Sequence, residues 1–218
     1  MSTGLQRLLT FLSPAFPVGA FAWSQGLETA IADGRIADAA TLREWIGGLL
    51  SHGGMRSDAI LLAHGYRSAD DARALAELAE LGLALVAPAE RQLETTLTAQ
   101  AFVSATRAWP SEVTAHLPDP CPYAIAVGTV SAAQGIALGD VLIGYLTAAV
   151  QTQVSVAVRL VPLGQVAGLE VIASLEPEVA ALAQFAATAS LDDIGGIAYA
   201  AEIAQMRHET LGVRVFRS

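Results

Sequence analysis

Residues 123–140 read YAIAVGTVSAAQGIALGD, and residues 141–160 continue as VLIGYLTAAVQTQVSVAVRL. Asp140 and Arg159 are the two charged residues in this whole stretch. It therefore forms two uncharged runs of about 18 to 20 residues, the length that a helix needs to span a bilayer. The stretch is either a membrane hairpin or the buried centre of a helical protein, and this choice decides the fold.

Small residues favour the membrane alternative, because they recur at four-residue spacing and would allow helices to approach closely in lipid. The pairs are Gly128/Ala132, Gly135/Gly139 and Gly144/Ala148. Against a membrane span, the stretch carries many uncharged polar side chains that hydrocarbon would not satisfy, including Gln134, Thr147, Gln151, Thr152, Gln153 and Ser155. It also lacks basic flanks and aromatic belts. We favour a buried central hairpin and keep a small membrane protein using residues 123–161 as the alternative.

The rest of the chain also favours helices. Hydrophobic residues make up 53% of the 218 residues and charged residues 15%, and most of the apolar residues are the helix formers Ala and Leu, with Val. Periodicity predicts an all-α, single-domain bundle of about eight to ten helices around the central apolar hairpin. One of these helices is predicted over residues 20–32. We place the helical domain at residues 1–210, with residues 109–122 as its clearest internal loop and residues 211–218 as a C-terminal docking tail.

Composition excludes several classes of function. All twelve basic residues are arginine, so a P-loop, which needs a lysine on the phosphates, and Schiff-base chemistry are both excluded. The net charge of −9 argues against nucleic-acid binding. The single Cys121 allows no internal disulfide, which fits a reducing compartment, and the first residues lack a secretory cleavage pattern. We expect a cytoplasmic protein.

No residue pattern indicates catalysis or a resident metal. The four histidines His52, His64, His116 and His208 are scattered, none at the spacing of a zinc motif. Cys121 lies between two prolines without a histidine nearby in sequence. A helical enzyme using Cys121 and a metal-storing protein remain the competing classes, although nothing in the sequence supports either.

Three unusual stretches remain: SPAFPVGAFAWSQGLE (residues 13–28), AVRLVPLGQ (157–165) and MRHETLGVRVFRS (206–218). In the first, the predicted helix places Phe21, Ser24, Gln25 and Glu28 along one face. In the second, Arg159 follows a long uncharged helix and needs a carboxylate or carbonyl partner if it is buried. The third carries three of the twelve arginines interleaved with apolar residues, as a docking segment would.

Together, these stretches closely resemble the UreF family of urease accessory proteins, in the same order and spacing along nearly the whole chain. The match is loose over residues 50–120. Trp23 stands where members often have Tyr, and residues 212–216 read GVRVF where members commonly have YSRLF. The resemblance implies an all-helical, non-enzymatic homodimer without a tightly bound cofactor.

The resemblance also implies partners. These are a UreD/UreH-type accessory protein, a UreG-type nickel-handling GTPase and apo-urease, with nickel handled by the complex and with no nucleic acid or membrane. A scaffold role is favoured over stimulation of GTP hydrolysis, for which Arg159 or Arg214 would be the candidates. We predict Phe216 as an apolar anchor for a partner, and the predicted partner-binding residues are Gln25, Glu28, Arg159, Gln165, Arg207, His208, Glu209, Arg214, Phe216 and Arg217.

Overall fold

The computed structural model describes residues 3–218, and residues 1 and 2, where the predicted helical domain begins, lie outside this range. Over the described residues the chain is all helical and contains no strand, as predicted. Eleven α-helices occur there, slightly more than expected. They are α1 (Thr3–Phe11), α2 (Leu27–Ala32), α3 (Ala39–His52), α4 (Gly54–Arg67), α5 (Ala72–Ala84), α6 (Ala89–Ala105), α7 (Tyr123–Ala133), α8 (Leu138–Leu160), α9 (Gln165–Ser174), α10 (Glu176–Ala186) and α11 (Tyr199–His208).

The long uncharged stretch forms α7 and α8, which lie at the centre of one hydrophobic core. Residues 124–131 of α7 are all buried, and α8 contacts α1, α2, α3, α4, α7, α9 and α10. By length and composition α8 could cross a membrane, but half of its most apolar part is buried inside the protein. With 11 residues, α7 is only about 16 Å long, too short for a bilayer core. The prediction of a buried hairpin is confirmed, and the membrane alternative is not supported.

Helices α7 and α4 cross in direct backbone contact at two glycines, Gly128 and Gly65, the first of which belongs to the small residues noted in the sequence. A Cβ atom placed on Gly128 would lie 2.2 Å from the backbone oxygen of Leu62 and 3.0 Å from the backbone nitrogen of Tyr66. A Cβ atom on Gly65 would lie 2.9 Å from the backbone oxygen of Ile125. The two backbones therefore touch directly, and glycine at these positions allows the contact.

The helix predicted over residues 20–32 is wrong in its first half. A short 3-10 turn covers Ala20–Ala22, and α2 begins only at Leu27. Between them, Gln25 and Gly26 adopt positive φ angles of 53° and 79°. A Cβ atom on Gly26 would lie 2.7 Å from the backbone nitrogen of Gln205, so close packing on α11 accompanies this break. Phe21, Ser24, Gln25 and Glu28 consequently do not share one helix face.

The proline-rich segment of residues 109–122 is a loop, as predicted, with a 3-10 turn at Glu112–His116. The helices on either side of it, α6 and α7, pack against each other. The loop is therefore a connection within one core and does not link two domains.

Candidate partner-binding site

The C-terminal strip, defined here as residues 211–218, folds back onto the body of the protein. The backbone N–H of Arg217 donates to the carbonyl oxygen of Ala22 at 2.8 Å, and the N–H of Ser24 donates to that of Ser218 at 2.9 Å. Phe216 is only 5% exposed. The irregular turn between Ala22 and Leu27, which replaces the predicted helix, thus provides the backbone groups that hold the strip.

Glu28, in the first turn of α2, binds the strip through its carboxylate. Its Oε1 accepts a hydrogen bond from the backbone N–H of Val215 at 2.7 Å, and its Oε2 accepts one from that of Phe216 at 3.0 Å. Nε2 of His208 lies 3.0 Å from Oε2. Burial alone would raise the pKa of Glu28, but these hydrogen bonds outweigh it and hold the pKa below its usual value of 4.5.

His208, at the end of α11, connects Glu28 to a second carboxylate. Its side chain is fully buried, and its Nδ1 lies 2.7 Å from Oε2 of Glu90 on α6. The imidazole therefore lies between two carboxylates, with one ring nitrogen at hydrogen-bond distance from each. Glu90 also pairs with Arg214 of the strip at 2.8 Å. Glu28, Glu90, His208 and Arg214 therefore form one connected polar cluster across four parts of the chain.

The remaining predicted arginines also contact their own chain. Arg207 forms an ion pair with Asp33. Arg159 donates to the carbonyl oxygen of Phe21 at 3.2 Å, and its guanidinium lies 4.5 Å from the centre of the Phe216 ring. Arg217 stacks on Trp23 at 4.7 Å. The two stacked arginines add cation–π attraction that secures the strip at both aromatic rings.

A second charged cluster is connected to the strip through Gln25, and sequence reasoning missed it. Arg91 pairs with Asp58 at 2.8 Å and with Glu94 at 3.3 Å, while Nε2 of Gln25 donates to Glu94 at 2.8 Å. The hydroxyl of Tyr145 donates to Asp58 at 3.1 Å. Burial raises the pKa of Glu94 although Arg91 opposes the shift. The available signal was the i, i+3 spacing of Arg91 and Glu94 on α6, a pattern too common to single out.

Arg91, Glu94 and Tyr145 of this cluster line a cleft of about 310 Å³ between α8 and the proline-rich turn that follows α1. Gln25 lines the cleft, and so does Arg159. Two predicted residues stand apart: Gln165 is exposed at the start of α9, and Glu209 is exposed beyond the end of α11. Within residues 3–218, neither forms a hydrogen bond to the strip.

The prediction of Phe216 as a partner's anchor does not fit the structure, because Phe216 is buried against its own chain. The exposed apolar side chains of the strip are instead Val213 at 85% and Val215 at 67% exposure. The helices that hold the strip expose further apolar side chains, namely Leu93 and Leu97 on α6 and Ile203 and Met206 on α11. Such a concentration of exposed apolar groups is typical of a protein–protein contact surface.

No metal-binding group of three or more His, Cys, Asp or Glu side chains is found among residues 3–218. His208 lies near two carboxylates, but both of its ring nitrogens face them. Each ring nitrogen is therefore already in contact with a carboxylate of the chain itself.

These features define a class of protein: a single all-helical domain with a C-terminal strip bound to its surface and with exposed apolar side chains on the strip and on the helices that bind it. The family model described as UreF matches residues 36–176. Urease accessory protein UreF of Agrobacterium fabrum (strain C58 / ATCC 33970) is 47% identical over 214 residues, which cover 98% of this chain and 96% of the relative. The chain belongs to the UreF family of urease accessory proteins.

Other relatives agree over the full length. The protein of the same name from Rhizobium etli (strain ATCC 51251 / DSM 11541 / JCM 21823 / NBRC 15573 / CFN 42) is 48% identical, covering 98% of this chain and 96% of the relative. That of Rhodopseudomonas palustris (strain BisB5) is 47% identical, covering 100% of this chain and 92% of the relative. The similarity to the Rhodopseudomonas palustris protein therefore spans the whole chain, the C-terminal strip included.

Proposed function

We propose that this protein is a non-catalytic scaffold of urease maturation and that the outward face of the C-terminal strip is one of its docking surfaces. The observation that carries the proposal is the contrast within the strip. Its backbone is bound by Glu28, and its Arg214 and Phe216 side chains are bound by Glu90 and Arg159, whereas the side chains of Val213 and Val215 are left exposed. Apolar side chains held in a defined position on the surface are suited to bind a partner, because little conformational entropy is lost on docking.

The partners that we propose follow from membership in the family of urease accessory proteins. They are a UreD/UreH-type accessory protein, a UreG-type GTPase and apo-urease, assembled around a homodimer of this chain in the cytoplasm. Nickel is cargo of the complex and not a cofactor of this chain. Arg159 and Arg214 already have partners within the chain, which favours a scaffold over a direct role of either arginine in GTP hydrolysis.

Co-purification with the UreD/UreH-type protein tests this proposal. The double variant Val213→Glu/Val215→Glu places two charges on the outward face while leaving Phe216 and the cluster around Glu28 in place. We expect the variant to fold normally and to lose the partner. The matched control is Val166→Glu, which makes the same change at a 69% exposed valine on α9 and should retain the partner.

A chain that ends at Thr210 provides a second measurement, since it lacks the strip altogether. We expect this chain to lose the partner as well. If the double valine variant and the truncated chain both retain the partner at the level of the control, the strip is not a docking surface.

A further inference from the structure

Glu28 is placed to determine the conformation of the strip, and not only its attachment. We propose that Glu28 is the positioning residue of the strip and that His208 orients Glu28 for this role. The inference rests on the proposed docking function, because what Glu28 positions is the outward face formed by Val213 and Val215.

The first support is the direction of the backbone N–H groups. In an extended chain, consecutive N–H groups point to opposite sides. Here the backbone bends at Val215 and Phe216, and both N–H groups converge on one carboxylate. Such a convergence of two neighbouring N–H groups forms an anion-binding concavity. The two N–H groups bind different oxygens of the carboxylate, Oε1 and Oε2, and a Gln side chain in the same position would place an NH2 donor against one of these N–H groups.

The second support is the way in which Glu28 is itself held. His208 is completely buried and contacts the same Oε2 that accepts from Phe216. On its other side, His208 is held by Glu90, which also binds Arg214. The strip is thus bound at two neighbouring points, through its backbone by Glu28 and through a side chain by Glu90, and His208 sets the distance between the two acids.

The third support is that polar and ionisable side chains, and not apolar ones, occupy the buried position between α2, α6 and α11. Apolar side chains of similar volume would join α2, α6 and α11 at no desolvation cost, whereas buried charges have to be compensated by one another. A charged, directional arrangement imposes one geometry on the strip, because each donor must meet its acceptor. Burial of Phe216 alone would leave the backbone of the strip free to adopt other paths across the surface.

Amide hydrogen exchange of the full-length chain tests the positioning role. Glu28→Gln keeps the size of the side chain but removes one acceptor and the negative charge. We expect exchange at Val215 and Phe216 to become about tenfold faster or more, with exchange in α4, α7 and α8 unchanged. The control is Glu178→Gln, which makes the same change at the Glu178–Arg43 ion pair and should leave the strip protected.

A structural role without positioning gives a different result. If Glu28→Gln accelerates exchange equally throughout the chain, or leaves Val215 and Phe216 unchanged, the proposal is overturned. His208→Gln is a second variant, since it removes the bridge while leaving the carboxylate, and we expect faster exchange at the same two amides. Equal protection of these amides in His208→Gln and in the unmodified chain would overturn the role of His208.

Co-purification separates this inference from the proposed function. If Glu28→Gln releases the two amides and also weakens capture of the UreD/UreH-type protein, both are supported. If the amides are released while Glu28→Gln and Val213→Glu/Val215→Glu both capture the partner normally, Glu28 positions the strip but the strip is not the docking surface.

Discussion

Gly128→Ala tests the central helix crossing with the smallest possible change, one methyl group. Gly128 faces α4, and the added Cβ atom would lie 2.2 Å from the backbone oxygen of Leu62 and 3.0 Å from the backbone nitrogen of Tyr66. Neither obstacle is a side chain that can rotate away. The two helices must therefore move apart, and the buried contacts on both sides of the crossing must loosen.

The magnitude follows from two opposing effects. Alanine has the higher helix propensity and by itself would stabilise α7 by about 1 kcal/mol. Overpacking a close-packed core costs about 1–3 kcal/mol, occasionally more, and a clash with backbone belongs at the upper end of that range. We expect a net loss of about 2 kcal/mol, which for a domain of this size lowers the melting temperature by roughly 4–8 °C.

Gly48→Ala provides the matched control. Gly48 lies inside α3, and a Cβ atom placed there meets nothing within 4 Å. The same substitution should therefore raise stability by about 0.5–1 kcal/mol. The assay is urea unfolding followed by circular dichroism, with thermal unfolding alongside. A Gly128→Ala protein as stable as the unmodified chain, beside a stabilised Gly48→Ala, would refute the direct contact between α4 and α7.

Three further predictions concern buried ionisable groups. Folding lowers the pKa of Glu28. The stabilisation by its carboxylate is therefore complete above the pKa of the unfolded chain, about 4.5, and is lost as the pH falls through the lower pKa of the folded chain. Amide exchange protection of the strip, corrected for intrinsic exchange rates, should be constant from about pH 7 to pH 5 and disappear only in stronger acid. Arg91→Met leaves Asp58 and Glu94 buried without their positive partner, and we expect a loss of about 3–5 kcal/mol in urea unfolding; a loss below about 1 kcal/mol contradicts the buried pairing. Burial raises the pKa of Cys121 to about 12, so little reactive thiolate is present at pH 8. Iodoacetamide at pH 8 should therefore label the native chain at least about 100-fold more slowly than the urea-unfolded chain. Equal labelling rates would place the thiol at the surface.

Much of the fold could be predicted because its signals are local. The run of residues 123–160 with only Asp140 and Arg159 charged indicates helices that are buried somewhere, and its polar amides favour protein over lipid as their surroundings. The break before Leu27 could not be predicted in the same way, because residues 20–32 contain no proline to interrupt a helix. It depends on Gly26 meeting the backbone of Gln205, a residue far away in sequence.

In the candidate site, too, some features could be predicted from the sequence and others only from the tertiary structure. The sequence by itself identified the C-terminal segment as unusual and named Glu28, His208 and Arg214 as members of a site, since arginines among apolar residues and the family resemblance are both visible without a fold. Only the tertiary structure decided that Glu28 binds the backbone of Val215, 187 residues away, and that Phe216 faces inward. The physical reason is that a hydrogen bond depends on where two atoms lie in space, and for residues so distant along the chain, that position is determined by the packing of the helices between them.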